Sequence, residues 1–118
     1  MESQYSPMIK TAYEGFNERD INKVFSVMDA NVLWPKAFEG GYVEGYDAVR
    51  EYWLRQWSEI NPNVEPISVN ERQDGRVEVM VNQLVKDLEG NVLFDGPTKH
   101  VYTFAGTTIL QMDIEVID

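Results

Sequence analysis

The stretch SPMIKTAYEGFNERDINKVFSVM, residues 6–28, decides the first half of the fold. Ser6-Pro7 reads as an N-cap followed by a proline in the first helical turn, where its missing N–H would be unpaired anyway. Ile9, Ala12, Tyr13 and Phe16 then recur at i, i+3, i+4 and i+7, which is one face of a helix. Asp20 is the next N-cap, and Ile21, Val24, Phe25 and Met28 repeat the spacing. Two short amphipathic helices therefore meet around residues 17–20, each with one stripe to bury.

Reading onward, Asp29-Ala30-Asn31 breaks the second helix, and Val32-Leu33-Trp34-Pro35 is a short apolar strand that Pro35 ends or pushes to an edge. Residues 36–45 form a loop with a short strand at Tyr42 and Val43. Gly40, Gly41 and Gly45 lack the spacing of a phosphate-binding loop. A third helix is expected from near Asp47, with Val49, Tyr52, Trp53, Trp57 and Ile60 as its stripe and Asn61-Pro62-Asn63 as its stop. After that the period changes to two. Val77, Val79, Val81 and Val85 share one face, opposite Glu78, Asn82 and Lys86. Asp74-Gly75, Gly90-Asn91 and residues 105–107 mark turns, and Gly96-Pro97 reads as an interruption between residues 92–94 and 99–104. A last strand is expected over 109–117. Helices first and antiparallel strands afterwards make an α+β domain, with the helices on one face of the sheet. No repeat or linker divides residues 1–118, so one domain is expected.

The totals narrow the function. Ten basic residues stand against twenty acidic ones, a net charge of −10, which argues against a nucleic-acid backbone or an anionic membrane as partner. There are no cysteines, so disulfides, thiolate metal sites and cysteine nucleophiles are excluded. One histidine and scattered acids make no recognisable metal-ligand set, and no cofactor motif is present. The opening MESQYSP has no positive, then apolar, leader pattern, and no stretch approaches the length of a bilayer span. A cytoplasmic location is the expectation.

Three stretches carry a family resemblance. DINKVFSVMDANVLWP (20–35) resembles the second helix and first strand of the nuclear transport factor 2-like superfamily, most of all its SnoaL-like and ketosteroid isomerase-like branches. GYDAVREYW (45–53) resembles the glycine that opens their third helix, and HVYTF (100–104), followed by Ile109 and Met112, their last hairpin. The resemblance covers roughly residues 6–117. It implies a cone-shaped, cystatin-like roll: three N-terminal helices on a curved antiparallel sheet, with a pocket at the wide end. It also implies a homodimer built through the outer sheet face. The superfamily includes isomerases, cyclases, dehydratases, epoxide hydrolases and non-catalytic binders, so the fold does not choose an activity.

His100 is the only histidine and shares a strand face with Tyr102 and Phe104, so that face is expected to point inward. A pocket histidine can donate a hydrogen bond or move a proton near neutral pH. The resemblance adds that the matching position in ketosteroid isomerase carries the protonated Asp of the oxyanion hole. Trp34 lines up with that enzyme's general-base Asp, and an indole cannot take a proton from carbon. Tyr13 lies on the inward face of the first helix, one residue from the isomerase's hydrogen-bonding Tyr. Asp95, Glu39 and Tyr13 are the candidate partners of His100, Asp95 foremost because Gly96-Pro97 can fold its loop back. Asp87 closes a strand at a turn, and Asp113 is expected on the outer side.

The candidate catalytic set is thus His100, Asp95 and Tyr13. The candidate ligand-binding set is Trp34, Trp53, Trp57, Gln83, Tyr102, Phe104 and Met112, where Gln83 is a polar residue interrupting a valine face. These fit a domain that binds a small apolar molecule. They also fit an isomerase, cyclase or dehydratase using His100 as acid/base on a carbonyl compound, or a non-catalytic dimerisation domain.

Overall fold

A computed structural model describes residues 5–36 and 40–115. The first helix, α1 (Ser6–Glu18), starts with Ser6 already inside its first turn and Pro7 beside it. It ends at Arg19, whose left-handed backbone (φ 63°) lets its N–H return to the carbonyls of Gly15 and Phe16. Asp20 then caps α2 (Ile21–Phe25), accepting from the Lys23 N–H at 3.2 Å. Ile9, Ala12, Tyr13, Val24 and Phe25 are buried, as the helical spacing predicts.

The second helix is shorter than its spacing suggests. Met28 opens β1 (Met28–Pro35), so Asp29-Ala30-Asn31 lies within a strand. The break is real but takes another form: between Met28↔Ile109 and Leu33↔Gln111 the strand carries more residues than its partner, so it bulges there. β2 (Tyr42–Glu44) follows, then α3 (Gly45–Trp57). Gly45 opens that helix at φ 86°, a backbone that residues with a Cβ adopt poorly. Ile60 and Asn61-Pro62-Asn63 do not belong to α3 or to a stop signal. They begin β3 (Ile60–Glu71), an edge strand, where prolines at 62 and 66 are tolerated.

β4 (Val77–Asp87), β5 (Val92–Ala105) and β6 (Thr108–Glu115) complete a six-stranded sheet in the order β2-β1-β6-β5-β4-β3. All pairs are antiparallel except β1 with β6, which run parallel. Gly96-Pro97 does not interrupt anything: both residues pair with β4, opposite Gln83 and Asn82, so β5 is one continuous strand. The expected extension of the last strand through residues 116–117 lies outside the described residues.

The inner face is set by register. Val77, Val79 and Val81 are fully buried beneath the helices, and each contributes about 1.5–3 kcal/mol of transfer free energy. Tyr102 sits between Val77 and Met112, and His100 between Val79 and Ile114. The outer face carries a polar lattice: Arg72 holds Glu115 at 2.6 Å and Glu78 at 3.4 Å, and Lys99 reaches Glu78 at 3.0 Å. Asp113 is on this face, accepting from the Tyr42 hydroxyl and, at 3.0 Å, from Gln111 Nε2. Among the described residues no helix is long and apolar enough to cross a membrane.

Candidate functional site

His100 is 6% exposed, a buried imidazole on β5 facing α1. Its Nδ1 lies 2.7 Å from the Tyr13 hydroxyl, and the Tyr102 hydroxyl donates to Tyr13 Oη at 2.7 Å. The helical spacing of α1 places Tyr13 inward, and the two-residue period of β5 places His100 and Tyr102 side by side beneath it. The Tyr13 ring lies nearly parallel to the imidazole (centroids 5.9 Å, 18°) and edge-on to Tyr102 (6.2 Å, 86°).

The chain of bonds has a direction. Tyr102 has no other acceptor among the described residues, so its proton goes to Tyr13. Tyr13 then gives its own proton to Nδ1. This direction assigns the imidazole the Nε2–H tautomer, whose remaining donor has no partner among the described residues, on a side chain that lines the cavity. Burial lowers the imidazole pKa from its ordinary 6.5 to about 4. Burial also raises both tyrosines, Tyr13 further through its neighbour Tyr102. At neutral pH the three groups are uncharged, so His100 does not titrate in the range expected from its sequence context.

Above this relay is a cavity of about 60 Å³, opening into a cleft whose unfilled space, counted out to solvent, is about 590 Å³. Tyr13, Tyr102, His100, Met112, Trp53 and Trp34 line it, with Gln83, as the sequence suggested. Trp34 meets Trp53 edge to face at 5.1 Å. No Asp, Glu, Lys or Arg side chain lines the cleft among the described residues.

Three expected members, Asp95, Trp57 and Phe104, stand elsewhere. Asp95 is exposed on the continuous strand β5, on the face opposite His100, where Asn82 Nδ2 donates to it at 3.3 Å. The loop that was to fold it back does not exist, because Gly96-Pro97 is strand. Trp57 packs behind the cleft, against Phe16 at 5.4 Å and under the Arg19 guanidinium at 5.0 Å. Phe104 stacks on Tyr5 at 4.1 Å, beyond the bulge that shifts register after Thr103. Glu39 lies outside the described residues. Asp87 holds its turn through the N–H groups of Glu89 and Asn91.

The cleft also takes residues that sequence reasoning missed: Phe16, Tyr52, Gln56, Val64 and Ile114. Gln56 had a readable signal. It is the polar residue within the stripe of α3, four after Tyr52 and three after Trp53, the same pattern that singled out Gln83.

No protein-family model and no curated protein matches the sequence. Solved structures do. TerC, crystallised with polyporic acid, superposes with a TM-score of 0.83 at 24% identity, over 98% of this chain and 92% of its own. An NTF2-like protein from Burkholderia pseudomallei gives 0.82 at 21%, over 97% and 91%. This chain has the nuclear transport factor 2-like fold. A ketosteroid isomerase-like fold from Catenulispora acidiphila, in complex with trimethylamine, gives 0.80 at 12%, over 94% and 85%. A cystatin-fold protein from Novosphingobium aromaticivorans is also similar, at 0.79 and 13% identity, over 98% of this chain and all of its own. At such identities the likeness fixes the NTF2-like architecture and leaves the chemistry to this chain's own cleft. That chemistry is an uncharged hydrogen-bond donor at the bottom of an aromatic recess.

Proposed function

We propose that the chain binds a small, uncharged, mostly apolar molecule that offers an oxygen acceptor to His100 Nε2–H. The relay Tyr102→Tyr13→His100 carries this reading, because it assigns the tautomer and leaves an imidazole donor at the buried end of a largely aromatic recess. The cavity of about 60 Å³ is smaller than the roughly 150 Å³ that accepts a benzene ring. A ligand's ring therefore rests in the wider cleft against Trp34, with its oxygen directed down to the imidazole. Small organic molecules bound by TerC and by the Catenulispora protein support a ligand-binding use of the fold.

The test is a matched pair, acetophenone and ethylbenzene, titrated calorimetrically. The ketone should bind roughly fivefold more tightly, the value of one modest hydrogen bond, and the preference should vanish in His100→Leu. Equal affinity for ketone and hydrocarbon in the native chain would sink the proposal.

The enzyme reading, with His100 as acid/base, has less support. An imidazole lowered to about 4 is a poor proton acceptor at neutral pH, and no carboxylate among the described residues lines the cleft to act in its place. If a substrate is turned over by His100 acid/base chemistry, His100→Gln should cost about 10²–10⁴-fold. As for assembly, we propose a homodimer through the outer sheet face, on the family resemblance. A sedimentation mass near a single 13.6 kDa chain at micromolar concentration would overturn it.

A further inference from the structure

Gln83 lies on the same inner face of the sheet as His100, four residues along β4 from Val79, the residue paired with His100. Gln83 and His100 thus line one cleft, about 13 Å apart along the strand direction. The Gln83 amide is engaged at its oxygen. Thr98, one position from His100 on the same strand face, donates from Oγ1 to Gln83 Oε1 at 3.3 Å. With its oxygen occupied, the amide turns its Nε2 hydrogens to whatever fills the cleft. Gln83 and Thr98 are both partly exposed, whereas His100, Tyr13 and Tyr102 are buried. The cleft therefore has a deep donor and a rim donor, separated by apolar and aromatic wall.

We infer that Thr98 and Gln83 form a second polar subsite, and that the preferred ligand carries two oxygen acceptors, one at each end. This deepens the binding reading above and rests on it. Gln83 makes the contact, and Thr98 is a positioning residue that keeps the amide from turning its oxygen inward. A ligand with only hydrocarbon at its outer end leaves that N–H without a partner, so bis-ketones are favoured over mono-ketones of the same shape.

The experiment compares 1,4-diacetylbenzene, acetophenone and 4-ethylacetophenone, a mono-ketone of the bis-ketone's shape, by calorimetric titration of the full chain. The bis-ketone should bind roughly fivefold more tightly than the mono-ketone, one further modest hydrogen bond. That ratio should fall to about one in Gln83→Leu. In Thr98→Val the bis-ketone should lose part of its advantage over 4-ethylacetophenone, because the amide oxygen is no longer engaged and can turn inward, and Thr98→Ser should restore it. A native chain that binds the mono-ketone through His100 but gains nothing from the second carbonyl overturns this inference alone. A bis-ketone preference that survives both Gln83→Leu and Thr98→Val overturns it as well. A chain that binds none of the three compounds overturns the binding reading and the subsite together.

Discussion

Replacing His100 with Gln should change how stability depends on pH, and the size of the change follows from burial. The folded imidazole titrates near 4 rather than its ordinary 6.5, because burial penalises the cation. Above pH 6.5 neither folded nor unfolded chain holds the proton, and the group contributes nothing. Between 6.5 and about 4 the unfolded chain binds a proton that the folded chain refuses, so acidification favours unfolding. Below about 4 both states are protonated and the loss levels off. One proton corresponds to about 1.4 kcal/mol per pH unit, or about 3 kcal/mol across the window. The folded carboxylates of Glu78, Glu115, Asp74 and Asp87 also lie below their ordinary values and lose stability on acidification, so the variant is needed as a subtraction. Urea unfolding followed by tryptophan fluorescence, from pH 7.5 to 4.5, supplies the data. The native-minus-variant stability should fall along that slope below pH 6.5 and stay flat above it. A difference that is flat throughout, or an NMR titration of His100 centred near 6.5, would refute the reasoning.

Tyr13→Phe should cost about 2–5 kcal/mol, since it leaves both the Tyr102 hydroxyl and His100 Nδ1 buried without partners. Tyr102→Phe removes only the end of the relay and should cost about 1 kcal/mol; thermal melts that reverse this order would contradict the assigned direction. Gly15→Ala should destabilise by about 1–3 kcal/mol despite alanine's better helix propensity, because its Cβ would stand 2.7 Å from Val24 Cγ2 and 3.0 Å from the Val24 backbone nitrogen. A neutral or stabilising result in a urea titration would show that α2 can shift away. Arg19→Ala should lose about 2 kcal/mol, as it abandons bonds to Asn61 Oδ1 at 2.6 Å and the Pro62 carbonyl at 2.8 Å while keeping a strained left-handed backbone. Arg19→Gly should be about 1 kcal/mol milder, and equal melting of the two variants would remove the backbone from the account.

Periodicity carried the inward face of α1 and the alternation of β4 into view because both report burial directly. Tyr13, His100 and Tyr102 were accordingly placed on inward faces, and Gln83 was found as a polar exception. Tyr13, and not Asp95, partners His100, because proline and glycine break a strand only where no neighbouring strand takes up their backbone. In β5 the edge-like behaviour of Gly96-Pro97 is absorbed by pairing to β4, and with the loop gone Asp95 went to the far face. Phe104 shares its parity with His100 but follows a register shift, and bulges leave little trace in a single sequence. The depressed basicity of His100 was invisible for a different reason. It depends on how completely the ring is buried in three dimensions, which no spacing rule reports.

The place of β6 between β1 and β5 sets the order in which the molecule can come into being. During synthesis β1 emerges early, but the neighbour that joins it to the rest of the sheet is made only at residues 108–115. Tyr13 likewise waits 87 residues for His100. The hairpins of β3, β4 and β5 can zip up while the ribosome is still translating, whereas α1, α2 and β1 hold apolar stripes with no sheet to cover them. Closure of these long loops makes folding a late and comparatively slow event. A nascent chain stalled before residue 108 would therefore be a natural client for chaperones that shield exposed apolar surface.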